Sequence, residues 1–252
     1  MKDLRSVVKI SWKKKSKGWT AELLLAEPGG FETLKLSPGR SFSFELVNER
    51  RCTGYAPAPG ERAPCPGFRE ISSGSQCSEC RGKDIYSDYV RGDEQTDLEG
   101  DFSVYLAQIS ENVKVGVTRS EKIPERWIEQ GSDYGVEILQ GLDSRVALEN
   151  ESDISSEGLT ERIRKGSKIP AASEPANLKE KMSDLGFQGE IVDVQSLTVY
   201  DKLQNNGFER SGLFEGELRS VKGQIISNGR MSLAMTSGKV LKNPVQKGLG
   251  SF

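Results

Sequence analysis

Phe102-Ser103-Val104-Tyr105-Leu106-Ala107, followed five residues later by Val113-Lys114-Val115-Gly116-Val117-Thr118, is the stretch from which the fold can be read. Both runs are rich in β-branched and aromatic residues, and the short polar gap between them predicts an antiparallel strand pair. Downstream, Pro124 suits the first residue of a helix over Glu125 to Gln130, which Gly131 closes. Val136 to Leu139 reads as another strand. Asp143 or Ser144 then caps a helix through Arg145, Ala147, Glu151 and Ile154. The order strand, strand, helix, strand, helix predicts a small α/β core over residues 99–158.

Upstream of that core the character changes. Residues 51–98 lose apolar periodicity, and Gly, Pro, Ser and Cys dominate. All four cysteines of the chain, Cys52, Cys65, Cys77 and Cys80, fall here, two of them in a C-x-x-C step. A loop without a core needs a staple. Clustered thiols at this spacing predict a tetrahedral structural zinc, with a pair of disulfides as the alternative. Four thiolates would close the zinc shell and leave no open position for chemistry.

The flanks read as β. In residues 1–50, Val7 to Ile10 and Thr20 to Leu25 surround a Lys-Ser-Lys-Gly turn, and Phe42, Phe44 and Leu46 alternate with polar residues. The lysines from Lys13 to Lys17 are interleaved with Trp12 and Trp19. That pattern suits phosphate binding and base stacking, or a hairpin kept soluble by its lysines, the second reading being favoured. Residues 159–252 predict two short polar helices, the second carrying Leu178, Met182 and Leu185. Strands follow at 191–194, 196–200, 213–226 and 231–235, and Asn243 to Phe252 read as a loose tail. The two β segments are expected to pair into one sheet or barrel around the core. The fold class is therefore α+β, in four parts: 1–50, 51–98, 99–158 and 159–252.

Composition narrows the chemistry. The chain of 252 residues has no histidine, which removes Ser–His and Cys–His couples and imidazole metal ligands. With 35 basic and 37 acidic residues, net charge selects no partner. No segment approaches the roughly 20 apolar residues of a membrane span, and the first residues lack a signal-peptide core, so a cytoplasmic protein without membrane contact is expected.

Residues 102–155 resemble divergent members of the GIY-YIG nuclease superfamily. Tyr105 stands at the first motif tyrosine, and Lys114-Val115-Gly116-Val117-Thr118 at the second motif. Arg126 stands at the helical arginine and Glu151 at the metal-binding glutamate, with Glu149 a competitor for that place. More broadly, the cysteine cluster with Val-Lys-Val-Gly-Val-Thr-Arg and Arg126-Trp127-Ile128-Glu129-Gln130-Gly131 resembles an uncharacterised prokaryotic family. The nuclease resemblance implies a catalytic set of Tyr105, Arg126, Glu151 and Lys114. Glu151 would hold magnesium, Arg126 would clamp a phosphate, and Tyr105 would orient or deprotonate the attacking water. One departure counts against efficient cleavage, because Lys114 replaces the second motif tyrosine. The expectation is a zinc-stabilised protein binding RNA or DNA. A magnesium-dependent endonuclease and a zinc-stabilised scaffold for a protein partner are the alternatives.

Overall fold

A computed structural model of the chain describes residues 4–58, 60–85, 99–160 and 162–243. Part of the cysteine-rich stretch (86–98) and nearly all of the expected tail (244–252) lie outside the described residues.

The N-terminal strands follow their apolar alternation. Strands β1 (Arg5–Lys15) and β2 (Gly18–Glu27) form a hairpin, followed by β3 (Gly30–Leu36) and β4 (Ser41–Arg50). Phe42, Phe44 and Leu46 of β4 point into the core, as period-2 burial requires. The Lys13–Lys17 turn is an ordinary hairpin tip. Trp12 is buried against Tyr200, with ring centroids 5.7 Å apart, and Trp19 packs on the same core. The tryptophans therefore stabilise the interior and are not displayed for base stacking.

After the cysteine loop and its helical turn α1 (Ser78–Arg81) comes the central unit. It contains β5 (Phe102–Ile109), β6 (Asn112–Arg119), α2 (Glu125–Gln130), β7 (Tyr134–Leu142) and α3 (Ser144–Ser156). Pro124 is the cap of α2 rather than its first residue, and Gly131 closes the helix in the left-handed region at φ 74°. Asp143 is the cap of α3, its carboxylate accepting from the Val146 amide at 2.9 Å. Helix α4 (Ala176–Asp184) and the two-residue strand β8 (Val192–Asp193) complete this unit, whose antiparallel sheet runs β6-β5-β7-β8. The first of the two expected polar helices is only a 3-10 turn, Lys165–Lys168.

The C-terminal region departs further. Residues 196–200 are no strand. Gln195–Leu197 form a 3-10 turn, held because the Gln195 side chain donates to the Ser132 carbonyl and the Tyr200 hydroxyl donates to that of Leu36. The expected strand 213–226 breaks into β10 (Gly212–Glu217), β11 (Ser220–Lys222) and β12 (Ile225–Ser227). Gly223, at φ 57°, makes the turn between the last two. With β9 (Gly207–Glu209) and β13 (Met231–Ala234) they form a second sheet, β11-β12-β13-β9.

Strand β14 (Lys239–Lys242) lies between β1 and β4, and β10 extends the far edge. The large sheet, β10-β4-β14-β1-β2-β3, thus joins both ends of the described chain. One face of the central sheet, with Tyr105, Ala107 and the α2 residues Trp127 and Ile128, faces this sheet across the main core. The other face packs on α3 and α4 through Ala147, Ile154, Leu178 and Met182. No helix among the described residues is long and apolar enough to cross a membrane. The chain is a mixed α+β protein, rich in strands.

Candidate metal centre and anion cleft

Two places in the fold concentrate chemistry. At the first, Cys52, Cys65, Cys77 and Cys80 are all buried and bring their sulfurs within 4.8 Å of one another. None forms a disulfide. Cys52 follows the end of β4, Cys77 is the N-cap of α1 and Cys80 sits on it. Cys65 opens a tight turn in which Phe68 N donates to Cys65 O at 3.1 Å and Phe68 takes φ 41°. Gly54 is required nearby, because a Cβ there would lie 2.0 Å from the Ala63 carbonyl oxygen.

The donor set fits a tetrahedral metal. Ligands at ~2.3 Å from zinc place sulfurs about 3.8 Å apart, and the Cys65 and Cys77 sulfurs are 4.0 Å apart. The Cys77 amide donates to the Cys52 sulfur at 3.2 Å, as amides do around thiolate ligands. Burial raises the Cys65 thiol, but the Arg69 and Gly67 amides and neighbouring thiols more than offset it and bring it to about 7. Burial and the adjoining thiols push Cys80 up instead. The four residues form a closed, buried thiol set that can hold a metal ion.

The second place is a cleft of about 540 Å³ at the β6 edge of the central sheet, between α2 and α3. Arg126 from α2 and Glu151 from α3 both line it, together with Thr118, Arg119, Lys122 and Lys9. Glu149 does not line it: it points outward and pairs with Arg145 at 3.0 Å, one helical turn away. Among the two candidate glutamates the fold thus brings Glu151 to the cleft.

Tyr105 belongs to the main core and does not itself line the cleft. It is 1% exposed, its phenolic oxygen accepts from Gln130 Nε2 at 2.8 Å, and its ring sits edge-on to Trp127. Burial raises its pKa. The Arg126 guanidinium opposes that rise and the Glu151 carboxylate adds to it, so both groups act on the phenol. Lys114 is placed differently. It lies opposite Ala107, is 8% exposed and is absent from the cleft lining. The bridge to Thr160 covers the edge of β6 there, so Lys114 is buried and lies outside the cleft in which the nuclease resemblance would set it.

Arg126 also contacts Glu129 at 3.5 Å, an exposed i,i+3 pair of small energetic weight. Two participants escaped the sequence reading. Gln130 lies four residues after Arg126 on α2, so helical spacing alone could have grouped them. Lys9 opens the basic, tryptophan-interleaved N-terminal stretch, but nothing local ties it to α2 and α3. A bulge in β1 between Val7 and Lys9 turns its side chain outward, and only the fold brings it to the cleft.

Behind the cleft lies a buried charged group. Lys222 Nζ is 2.7 Å from the Asp133 carboxylate, both side chains being at most 1% exposed, and the Ser110 amide donates to the same carboxylate at 2.7 Å. Lys168 Nζ donates to the Gln130 carbonyl at 2.5 Å. Burial, and the repulsion of Lys165, Lys222, Lys114 and Arg126, pull Lys168 down to about 8.

No curated protein and no solved structure matches the chain. Residues 39–229 match the sequence profile of a family described as protein of unknown function (DUF2797), a span of more than half the chain that contains the thiol set and every cleft residue named above except Lys9, and the chain belongs to that family.

Proposed function

We propose that the chain is a zinc-stapled nucleic-acid-binding protein that engages a phosphodiester in the cleft between α2 and α3. The observation that carries this reading is the meeting of Arg126 and Glu151 at one concavity whose lining adds Lys9, Arg119 and Lys122 to Glu125 and Glu129, with the buried Tyr105 phenol within electrostatic reach of both groups. Arg126 offers a planar donor fork suited to phosphate oxygens, and the flanking cations suit the backbone of a strand. Zinc at the thiol set is structural. Its role is to hold the 52–80 loop, which packs few apolar side chains of its own. The strand-strand-helix-strand-helix order and the antiparallel β6-β5-β7 arrangement support the likeness to the GIY-YIG nucleases.

The reading is tested with the zinc-loaded full chain and labelled RNA and DNA strands. Affinity is expected to fall linearly in log–log form with salt, and Arg126→Ala or Lys122→Ala to reduce that slope by about 1 each. Absence of salt-dependent binding to either nucleic acid would remove the reading.

A second reading, magnesium-dependent hydrolysis, rests on Arg126 and Glu151 lining one cleft, with the Tyr105 hydroxyl close enough to feel both charges. Glu151 is one carboxylate, which suits a magnesium ion that keeps most of its waters and supplies Lewis acidity when bound. Arg126 would hold the phosphate, and Gln130 would orient the phenol beside it. Neither Lys114 nor Tyr105 lines the cleft, which favours binding over efficient cleavage. Cleavage that needs magnesium or manganese and vanishes in Glu151→Ala and Arg126→Ala would establish this second reading.

A further inference from the structure

A second concavity, of about 480 Å³, lies where the cysteine loop meets β1 and β2. Its wall includes Thr53, Arg62, Gln76 and Asp84, and its rim includes Lys9, the same residue that lines the Arg126–Glu151 cleft. The two concavities therefore meet at Lys9, whose side chain the β1 bulge turns outward between them.

The second concavity is built, not a chance hollow. Gln76 Nε2 donates to Asp84 Oδ2 at 2.5 Å and to the Gly54 carbonyl at 3.1 Å, and the Ala56 amide donates to the same Asp84 oxygen at 3.0 Å. Arg62 donates to the Thr53 carbonyl at 3.4 Å and lies in the field of Asp84. A guanidinium, a carboxylate and a carboxamide thus stand side by side on one wall. Donors and acceptors at fixed spacing are what reading the edge of a nucleobase requires, whereas a phosphate alone would need only the cation. These groups lie inside a concavity, so a base reaches them only when turned out of a duplex stack.

We infer that the cysteine loop carries a base-binding subsite, formed by Arg62, Gln76 and Asp84, which receives an unpaired nucleotide of a single strand whose backbone crosses Lys9 from the Arg126–Glu151 cleft. This rests on the nucleic-acid reading above and adds the substrate class, a single strand spanning both concavities. It also assigns the metal-stapled loop a part in recognition.

The test compares an eight-nucleotide single strand, a dinucleotide and an eight-base-pair duplex by fluorescence anisotropy on the zinc-loaded full chain. The eight-nucleotide strand is expected to bind at least about tenfold more tightly than the other two. Lys9→Glu and Arg62→Ala should each lower its affinity by roughly tenfold, within the range for losing one base or backbone contact. Lys9 lines both concavities, so Lys9→Glu reports on the strand's path as a whole, and Arg62→Ala is the variant that separates the subsite from the cleft. Metal content measured on both variants reports on the loop itself. Equal affinity for all three probes, or wild-type affinity of metal-loaded Arg62→Ala for the long strand, overturns the subsite and leaves the phosphodiester cleft standing. Absence of binding to every probe overturns both.

Discussion

The Tyr105 ring lies directly across Gly116, its partner on the neighbouring strand: a Cβ built at Gly116 would stand 2.4 Å from the phenolic oxygen and 2.5 Å from Cζ. A glycine is needed there because the phenol must pass over β6 to reach the region of Arg126 and Glu151. The φ of Gly116 is not in the left-handed region, so the requirement is space and not backbone freedom.

Gly116→Ala is therefore expected to push the phenol aside and destabilise the protein by about 1–3 kcal/mol, the usual cost of overpacking a tight core. The urea midpoint measures this. In a Tyr105→Ala background the same substitution should cost much less, because the ring it would strike is gone. Equal cost in both backgrounds would show that the close approach is unimportant.

Glu149 and Glu151 should behave oppositely despite their proximity in sequence. Glu149→Ala removes an exposed i,i+4 pair with Arg145 and should change stability by less than about 0.5 kcal/mol, with nucleic-acid affinity unchanged. Glu151→Ala alters the cleft, and any magnesium dependence of binding or cleavage should disappear with it. Titration with the metal alone, followed by calorimetry, separates the two variants.

Breaking the buried Asp133–Lys222 pair should be among the costliest single changes. Asp133→Asn or Lys222→Met leaves a partner charge buried without compensation, which typically costs about 3–5 kcal/mol. The double variant Asp133→Asn/Lys222→Met should recover much of that loss, because neither charge then remains. Denaturant unfolding of the three variants gives the coupling directly.

Stability should rise as pH is raised above about 8. Burial lowers Lys165 and Lys168 from 10.5 to about 8, so the folded protein releases these protons well before the unfolded chain does. Between about pH 8 and 10.5 the unfolded state binds more protons, and the penalty of burying the charges is progressively relieved. Below about pH 8 it is present in full. Wild-type protein compared with Lys165→Met/Lys168→Met at pH 7 and at about pH 9.5 should show the larger rise in the former, Lys222 and Lys239, also lowered by burial, contributing to both.

Removal of the metal should release the cysteine loop. Zinc bound by four thiolates contributes apparent free energies of roughly 10–16 kcal/mol in small fingers, and this loop has little apolar core beyond Tyr55 and Ile71. A chelator, or Cys80→Ser, is expected to make the 52–80 region susceptible to protease while the sheets stay folded. Cobalt substitution should give the charge-transfer absorption of a tetrahedral thiolate site in the wild-type chain and lose it in the variant.

Several features were legible in the residues themselves. Four thiols in a stretch without apolar periodicity announced a metal-sized cluster. The alternation of Phe42, Phe44 and Leu46 gave a strand with one buried face. Pro124 and Gly131 bracketed α2, and Tyr105, Arg126 and Glu151 were singled out in positions that the fold brings to one region. Such signals are local: they depend on propensity, period and capping, which operate over a few residues.

Other features depended on packing between distant segments. Residues 196–200 have strand-like composition, yet they turn because Gln195 and Tyr200 spend their polar groups on Ser132 and Leu36 across the core. Lys239–Lys242 becomes a central strand only because β1 and β4 leave a place between them. Lys114 is buried by a bridge from Thr160, and Lys9 enters the cleft through a bulge more than a hundred residues from Arg126.

By itself, then, the sequence determined the mixed α+β class, the clustering of the four thiols and the residue types of the cleft, because each follows from short-range pattern and chemistry. Tertiary structure alone decided which glutamate faces the cleft, that Lys114 stays out of it, and that Lys9 joins it to the cysteine loop. These outcomes are set by which long-range contacts bury apolar surface and satisfy buried polar groups together, and no local window of sequence contains that information.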